Sequence, residues 1–513
     1  MASQSQSQTP SLPSTLVARF LRTNNYTETL RAFIREAGLP NNVGQPSSSS
    51  NQNQHGESSW TIEGVLEEKK AFDKSVNLER YGTNDKERDE WSVPAPTKAN
   101  PIQTPNPANL LACSVEPWKQ AVGGDREDGE EEREKEEDNG TYLVATGADK
   151  QLHLFSTAAG NHIVKSFSGL SDSPILSYTT VRNGRYVFLT NMSGQLLLQR
   201  GTETLDCRKD HAKYAVKVVA HEEGGAEDGK THVWVATAGW DSKIVLYKLS
   251  VPNEGPETAA VTLGEPAAYI SLASNPESML FTRHIDTGEL ILLVSRRDST
   301  HLYYYQVKDH HDDSTSAPIT PYECPLLGTQ NLAPHSNAWV AFSPSCLALS
   351  PDDPGLLAVA ASTTPHMKVL LVRLLFPSQS ESADRSERDG TEPRATQATQ
   401  ALAALSLQNK EDAAILIQAN TFAPQTAYST PQVVWRPDGS GLWVNGDDGV
   451  IRGIERRTGK VAVMLKDGHD TGYKVRSIWA GWVDVLGDGG EVVREEWLVS
   501  GGFDKKLIVW KAG

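Results

Sequence analysis

The sequence predicts an all-β fold: a seven-bladed β-propeller preceded by a small α-helical hairpin and one further helix. Three observations predict it. First, a short pattern returns four times: Gly-x-Asp, an apolar residue three places after the Asp, and a large apolar residue six places after it. Gly147-Ala-Asp149 leads to Leu152, Leu154 and Phe155, and Gly239-Trp-Asp241 to Ile244, Leu246 and Tyr247. Gly446-Asp-Asp448 leads to Ile451, Gly453 and Ile454, and Gly502-Phe-Asp504 to Leu507, Val509 and Trp510. An Asp beside a Gly makes a tight turn, because the carboxylate accepts backbone N–H bonds and Gly tolerates φ > 0. Second, from residue 108 onward the chain is a succession of short apolar runs such as TYLVAT, HVWVAT, ELILLV and GLLAVA, separated by turns. Third, one strand pair per unit cannot bury both of its faces, and radial stacking of four-stranded blades solves that problem.

The elements follow in order. Residues 1–13 read as a polar, disordered tail, and residues 14–39 as two short helices. In the first, Ser14-Thr15 offers an N-cap ahead of Leu16, Val17, Phe20 and Leu21 on one face. Thr23-Asn24-Asn25 breaks it, Asn being tolerant of the left-handed conformation. Thr27 is the expected cap of the second, whose face carries Leu30, Phe33, Ile34 and Ala37 before Gly38 and Pro40 stop it. Helices of about ten residues are marginal alone in water, so a second copy of the hairpin is a natural cover for the apolar stripe. Residues 40–59 read as a flexible linker, and 60–81 as a helix that either extends a dimer contact or packs on the propeller. Residues 82–107 hold five prolines and read as an extended linker with a candidate ring-closing strand.

Residues 108–513 divide into seven units: 108–170, 171–211, 212–265, 266–330, 335–425, 428–470 and 473–513. The second has a degenerate turn, Asn191-Met-Ser193. Disordered inserts are expected at about 123–139 and 377–411. The first contains Asp125–Asp138, ten acids against three bases. It reads as a solvated loop, with an acidic docking tail as the alternative.

These residues carry a resemblance to WD-repeat (WD40) proteins. The Gly-x-Asp turns, Trp510-Lys511 where the family has Trp-Asp, and Gly468-His469 between blades are similar to that pattern. So are Ser343-Pro-Ser345 and Trp435-Arg-Pro-Asp-Gly439 as strand endings. The resemblance implies that Asp149, Asp241, Asp448, Asp504, His211 and His469 hold structural hydrogen-bonded networks in their blades. It also implies that a strand from ahead of the first blade closes the ring. The segment Leu16-Val17-x-x-Phe20-Leu21, Asn25-Tyr26-x-x-Thr29-Leu30, Phe33-x-x-Glu36 resembles a LisH motif, with Asn25 for Gly and Leu30 for Ala. LisH motifs dimerise proteins, which implies dimerisation through Leu16, Val17, Phe20, Leu21, Tyr26, Thr29, Leu30, Phe33 and Glu36.

Chemistry is weakly signalled. No nucleophile elbow, P-loop or dinucleotide fingerprint is present in the 513 residues. Asp309-His310-His311-Asp312-Asp313 reads as a solvated loop rather than a metal cluster. Arg452, Arg456, Arg457 and Lys460 read as a solvated blade edge, or else a local basic patch. Trp240, at a turn, is a candidate partner contact at the propeller rim. A net charge of −16 gives no footprint for nucleic acid. Four cysteines without metal spacing, and no apolar span or signal peptide, suggest an intracellular protein, nuclear or cytoplasmic. The expectation is a non-enzymatic scaffold without catalytic, metal or cofactor sites, binding other proteins and neither nucleic acid nor membrane, within a larger complex. A reader of basic histone-type tails is the rival, and a propeller-fold enzyme a more distant one.

Overall fold

A computed structural model describes residues 12–45, 61–63, 91–119, 139–224, 230–252, 261–308, 321–335, 342–377, 397–486 and 491–513. The acidic run, the Asp309–Asp313 segment, most of the 1–13 tail and most of the expected 60–81 helix lie outside the described residues. The chain divides into two compact units, residues 1–78 and 79–513.

In the first unit, α1 (Leu12–Thr23) and α2 (Thr27–Glu36) form a hairpin. Two expected caps are corrected. Helix α1 starts ahead of Ser14-Thr15, which fall inside its first turn; Pro13 is tolerated there because first-turn N–H groups have no helical acceptor. The N-cap of α2 is Tyr26, with no side-chain capping bond, and Thr27 is already helical. The tight turn fixes this boundary: Asn25 takes φ +59°, and the Tyr26 N–H donates to Leu21 O at 2.9 Å. Ala18, Leu30 and Val43 form the hairpin's core, with Leu21, Phe33, Ile34 and Leu39 packed on it. Residues 39–45 fold back along α1. The Arg22 guanidinium donates to the carbonyls of Asn41 and Val43, each at 3.1 Å.

The second unit is a seven-bladed β-propeller. Blades 1 to 6 cover residues 110–167, 175–208, 215–271, 276–331, 344–424 and 433–465. Blade 7 takes three strands from residues 475–512, and Pro96–Ile102 pairs antiparallel with Leu507–Ala512 as its outermost strand. Its prolines sit on an edge, where a missing N–H costs no ladder bond. Blade 3 gains a fifth strand, Tyr322–Glu323, paired parallel to Ala268–Ser271.

The apolar runs are continuous because both faces of each blade are buried. Alternate residues go to different neighbours. Leu143 and Ala145 pack between blades 7 and 1, whereas Tyr142 and Val144 pack between blades 1 and 2. Each of the seven blade junctions holds one such cluster. Polar stitches fix their height. Ser477, Ser177 and Ser278 accept the backbone N–H of Cys113, Val218 and Leu347 in the following blade, at 3.1, 3.2 and 3.2 Å.

Two further expectations are corrected. Ser343-Pro-Ser345 does not end a strand; it opens the inner strand of blade 5 (Pro344–Leu349), and the next Ser-Pro, at residues 350–351, makes the turn. Within the stretch read as a 377–411 insert, residues from 397 on are helical: α3 spans Gln397–Ala414. Its QATQALAALSLQNKEDAA is free of Gly and Pro and rich in strong helix formers. Glu411 docks it by accepting the Asn331 N–H at 2.7 Å.

Candidate functional site: the hairpin face and the blade turns

The hairpin residues divide into two sets. Leu30 is buried in the hairpin's own core, and Leu21 and Phe33 pack on it. Leu16 and Phe20 each lie two positions from Ala18, which places them roughly 160° around α1 from that core. They are half-buried, as is Val17, while Tyr26, Thr29 and Glu36 are exposed. The Phe20 and Tyr26 rings are 6.4 Å apart. An apolar strip is therefore presented on the side of α1 that α2 does not cover.

In the propeller, the four Gly-x-Asp aspartates are the hubs of blade turns, but in two different ways. In blade 7, Trp510 Nε1 donates to Ser500 Oγ at 2.8 Å, Ser500 reaches His469 Nε2 at 2.8 Å, and His469 Nδ1 lies 3.0 Å from Asp504. An indole only donates and a carboxylate only accepts, so the chain runs from Trp510 to Asp504. Blade 3 repeats it with Thr237, His211 and Asp241 at 2.9 and 3.0 Å. Tyr247, in the place of the Trp, donates to Asp210 instead. Blades 1 and 6 take no histidine from the preceding loop. Asp149 meets His153 Nε2 at 3.2 Å and Asn106 at 3.1 Å; Asp448 holds Arg452 in a two-pronged pair at 2.6 and 3.1 Å.

The motif's glycines also need a correction. Gly147, Gly239, Gly446 and Gly502 do not adopt positive φ; the residues after the Asp do: Lys150 at +67°, Ser242 at +62°, Gly449 at +81° and Lys505 at +67°. The glycines are there for space. A Cβ at these positions would lie 2.3–2.7 Å from the turn carboxylate.

Burial pushes the Asp241 and Asp504 carboxyls up, but bonds from His211 and His469 and from backbone N–H groups outweigh it and hold both below the ordinary 3.8. A carboxyl with a depressed folded pKa stabilises the fold above its unfolded value, and that contribution is lost as pH falls through the folded value. Thermal melts of the wild type should therefore drop steeply below pH 3.8. An Asp241→Asn/Asp504→Asn variant should melt lower at neutral pH and respond less to acid. Parallel pH profiles for the two proteins would refute this.

Arg452 is buried in its pair, and Arg456 binds Asp352 at 2.5 Å and stacks on Trp435. Of the four residues read as a solvated blade edge, or else a local basic patch, Arg452 and Arg456 are thus taken into structural contacts, while Lys460 is exposed. Trp240 is 40 % exposed; its backbone N–H donates to Tyr214 O at 2.9 Å, and the two rings lie 5.3 Å apart. Among the described residues no group of three or more His, Cys, Asp or Glu is placed to hold a metal ion, and no helix is long and apolar enough to cross a membrane.

Sequence reasoning missed one site. Arg436, fully buried, donates to Glu496 at 2.9 and 2.6 Å, to Ser92 O at 2.7 Å and to Ser440 Oγ at 3.0 Å. Trp91 stacks on its guanidinium at 4.5 Å and meets Trp443 edge-on at 4.9 Å. The segment ahead of the closing strand is thereby pinned between blades 6 and 7.

Residues 14–40 match the family model described as UCP007778, LisH domain, and residues 133–511 the one described as UCP007778, beta-propeller domain. No curated protein matches the chain.

Proposed function

Because the chain belongs to the UCP007778 family, with its LisH domain ahead of a β-propeller domain, we propose that it is a non-enzymatic scaffold that works as a homodimer. The LisH hairpin joins two copies, and each copy offers a propeller to other proteins within a larger complex. The observation that carries this reading is the strip of Leu16, Phe20 and Tyr26, which lies outside the hairpin's own core, half-buried at Leu16 and Phe20 and exposed at Tyr26. A second hairpin covers it at roughly 1.5–3 kcal/mol per fully buried large side chain. Pairing also raises avidity for any partner with two epitopes, without a new contact. Trp240 and Tyr214 are the aromatic pair we assign as a partner contact on the turn face.

That face carries Lys150, Lys213, Lys474, Lys505 and Lys506 beside Asp172, Asp298 and Asp470. Its mixed charge favours a general protein-binding surface over a reader of basic histone-type tails. Light scattering tests the dimer. The full chain is expected at twice its 56.0 kDa mass. A Leu16→Asp/Phe20→Asp variant, and a chain lacking residues 1–40, are expected at the mass of one copy. A single mass class for all three proteins refutes the assignment.

A further inference from the structure

We infer that the outer edge of blade 6 docks an extended peptide that carries acidic residues six positions apart with apolar residues between them. The outermost strand there is Val461–Leu465. One side of it pairs with Ile451–Glu455, and among the described residues no strand pairs with the other. Such an edge presents unpaired N–H and C=O groups, and an added strand satisfies them.

The side chains along the edge alternate. Lys460, Ala462, Met464 and Lys466 are exposed, Val461 and Val463 are half-buried, and Leu465 is buried. The outward row reads Lys, Ala, Met, Lys over about 20 Å, at roughly 3.3 Å per residue. Among the described residues neither lysine has an ion-pair or hydrogen-bond partner through its side chain. Two unopposed cations therefore bracket an apolar centre, in a chain whose net charge is −16.

A groove of about 410 Å³ runs along this strand, from Gly459 to Met464. Asn420 and Phe422, from the outer strand of blade 5 (Ile415–Pro424), make its other wall. Phe422 is the unusual residue. It takes φ +56°, in the left-handed region that a bulky side chain rarely adopts, and the residue is 52 % exposed. The strand holds it there. Asn420 Oδ1 accepts the Phe422 N–H at 2.9 Å, and Thr421 Oγ1 donates to Met367 O at 2.8 Å and accepts the Ala423 N–H at 3.1 Å. Local strain that the surrounding structure enforces is a feature of ligand clamps, and this strain turns an aromatic ring to the groove that Met464 lines from the other side.

A peptide strand antiparallel to Val461–Leu465 gains backbone bonds along the edge. It sets an acid opposite each lysine and rests its apolar centre on Met464 and Phe422. This inference rests on the propeller being a protein-binding scaffold.

The probe is a fluorescein-labelled synthetic peptide, Glu-Thr-Val-Thr-Val-Thr-Glu, titrated with the full chain in fluorescence anisotropy. Saturable binding is expected, weakened at least ~10-fold in Lys460→Glu/Lys466→Glu. Phe422→Gly accommodates the positive φ, so it should keep or raise the melting temperature while weakening the peptide to a similar degree. The inference falls if the wild type shows no saturable binding, or if a control peptide with glutamates at the centre and valines at the ends binds equally. It also falls if neither variant loses affinity. If the charge-reversal variant halves the mass in light scattering, the edge is a seam between two copies, which also overturns the peptide. A wild type that keeps its dimer mass but shows no saturable peptide binding refutes this inference alone, whereas the scaffold dimer stands or falls on the hairpin variants.

Discussion

Glu496→Ala is expected to destabilise the propeller by about 3–5 kcal/mol, because it leaves the buried Arg436 charge without its hydrogen-bonded carboxylate and with only Asp438, at 3.8 Å, to oppose it. The guanidinium has no route to water: its exposure is 0 %, it donates twice to Glu496, and Trp91 caps its face. The damage should spread along the chain. Arg436 also donates to Ser92 O, and Ser92 bonds Asp438, so a displaced guanidinium releases the segment leading into the Pro96–Ile102 closing strand. Ring closure is what removes the free edge of blade 7. The expected signature is a lower urea midpoint together with faster hydrogen exchange in residues 96–102. An Arg436→Met/Glu496→Leu pair removes both charges while retaining apolar volume, and should recover most of the loss. A single-site cost below about 1 kcal/mol, as for a surface pair, would sink the account, and so would a double variant no better than Glu496→Ala.

This network shows where sequence reading stops. Trp435-Arg-Pro-Asp-Gly439 resembles a strand ending, and nothing local says that Arg436 will meet a carboxylate 60 positions away under a Trp from ahead of the ring. Blade turns were more legible, since their partners lie within a few residues or in the adjoining loop. Even the two modes of holding the Asp have a sequence signal, at the position four after it. In blades 3 and 7 this residue is Val245 or Ile508, buried and apolar, and the loop supplies a histidine. In blades 1 and 6 it is His153 or Arg452, a polar side chain inside an otherwise apolar strand, which binds the Asp itself. Blade 2 hides the same device. Asn191 Oδ1 accepts the N–H of Ser193 and of Gln195, both at 3.0 Å, so an amide does the work of the carboxylate. The hairpin core was legible as a stripe of apolar residues. Its division was not, because residues 39–45, which read as the end of a helix and the start of a linker, cover one side of α1 and leave Leu16 and Phe20 on the other.

Gly239→Ala is expected to cost about 2–4 kcal/mol, from overpacking plus the loss of a buried hydrogen bond. Its backbone φ is ordinary, so a purely conformational account of this glycine predicts a gain of up to about 1 kcal/mol from the stiffer unfolded chain. The steric account predicts the reverse sign. An added Cβ would stand 2.2 Å from His211 Nδ1 and 2.3 Å from Asp241 Oδ1, inside the bond that joins them. The ring has little room to retreat, since His211 is buried and its other nitrogen is held by Thr237 at 2.9 Å. The four motif glycines then make a graded series. Gly502→Ala should rank next, with contacts of 2.3 Å to Asp504 and 2.8 Å to His469. Gly446→Ala meets Asp448 at 2.5 Å, the Val450 carbonyl at 2.7 Å and Arg452 at 2.8 Å. Gly147→Ala meets only the Asp149 carboxylate closely, at 2.7 Å, with its next contacts at 3.5 Å, and should be mildest. Urea midpoints for the four variants give the ranking directly. If all four shift alike, or if any is stabilised, the glycines are not making room for the turn carboxylates, and the recurrence of Gly two places before each Asp needs another cause.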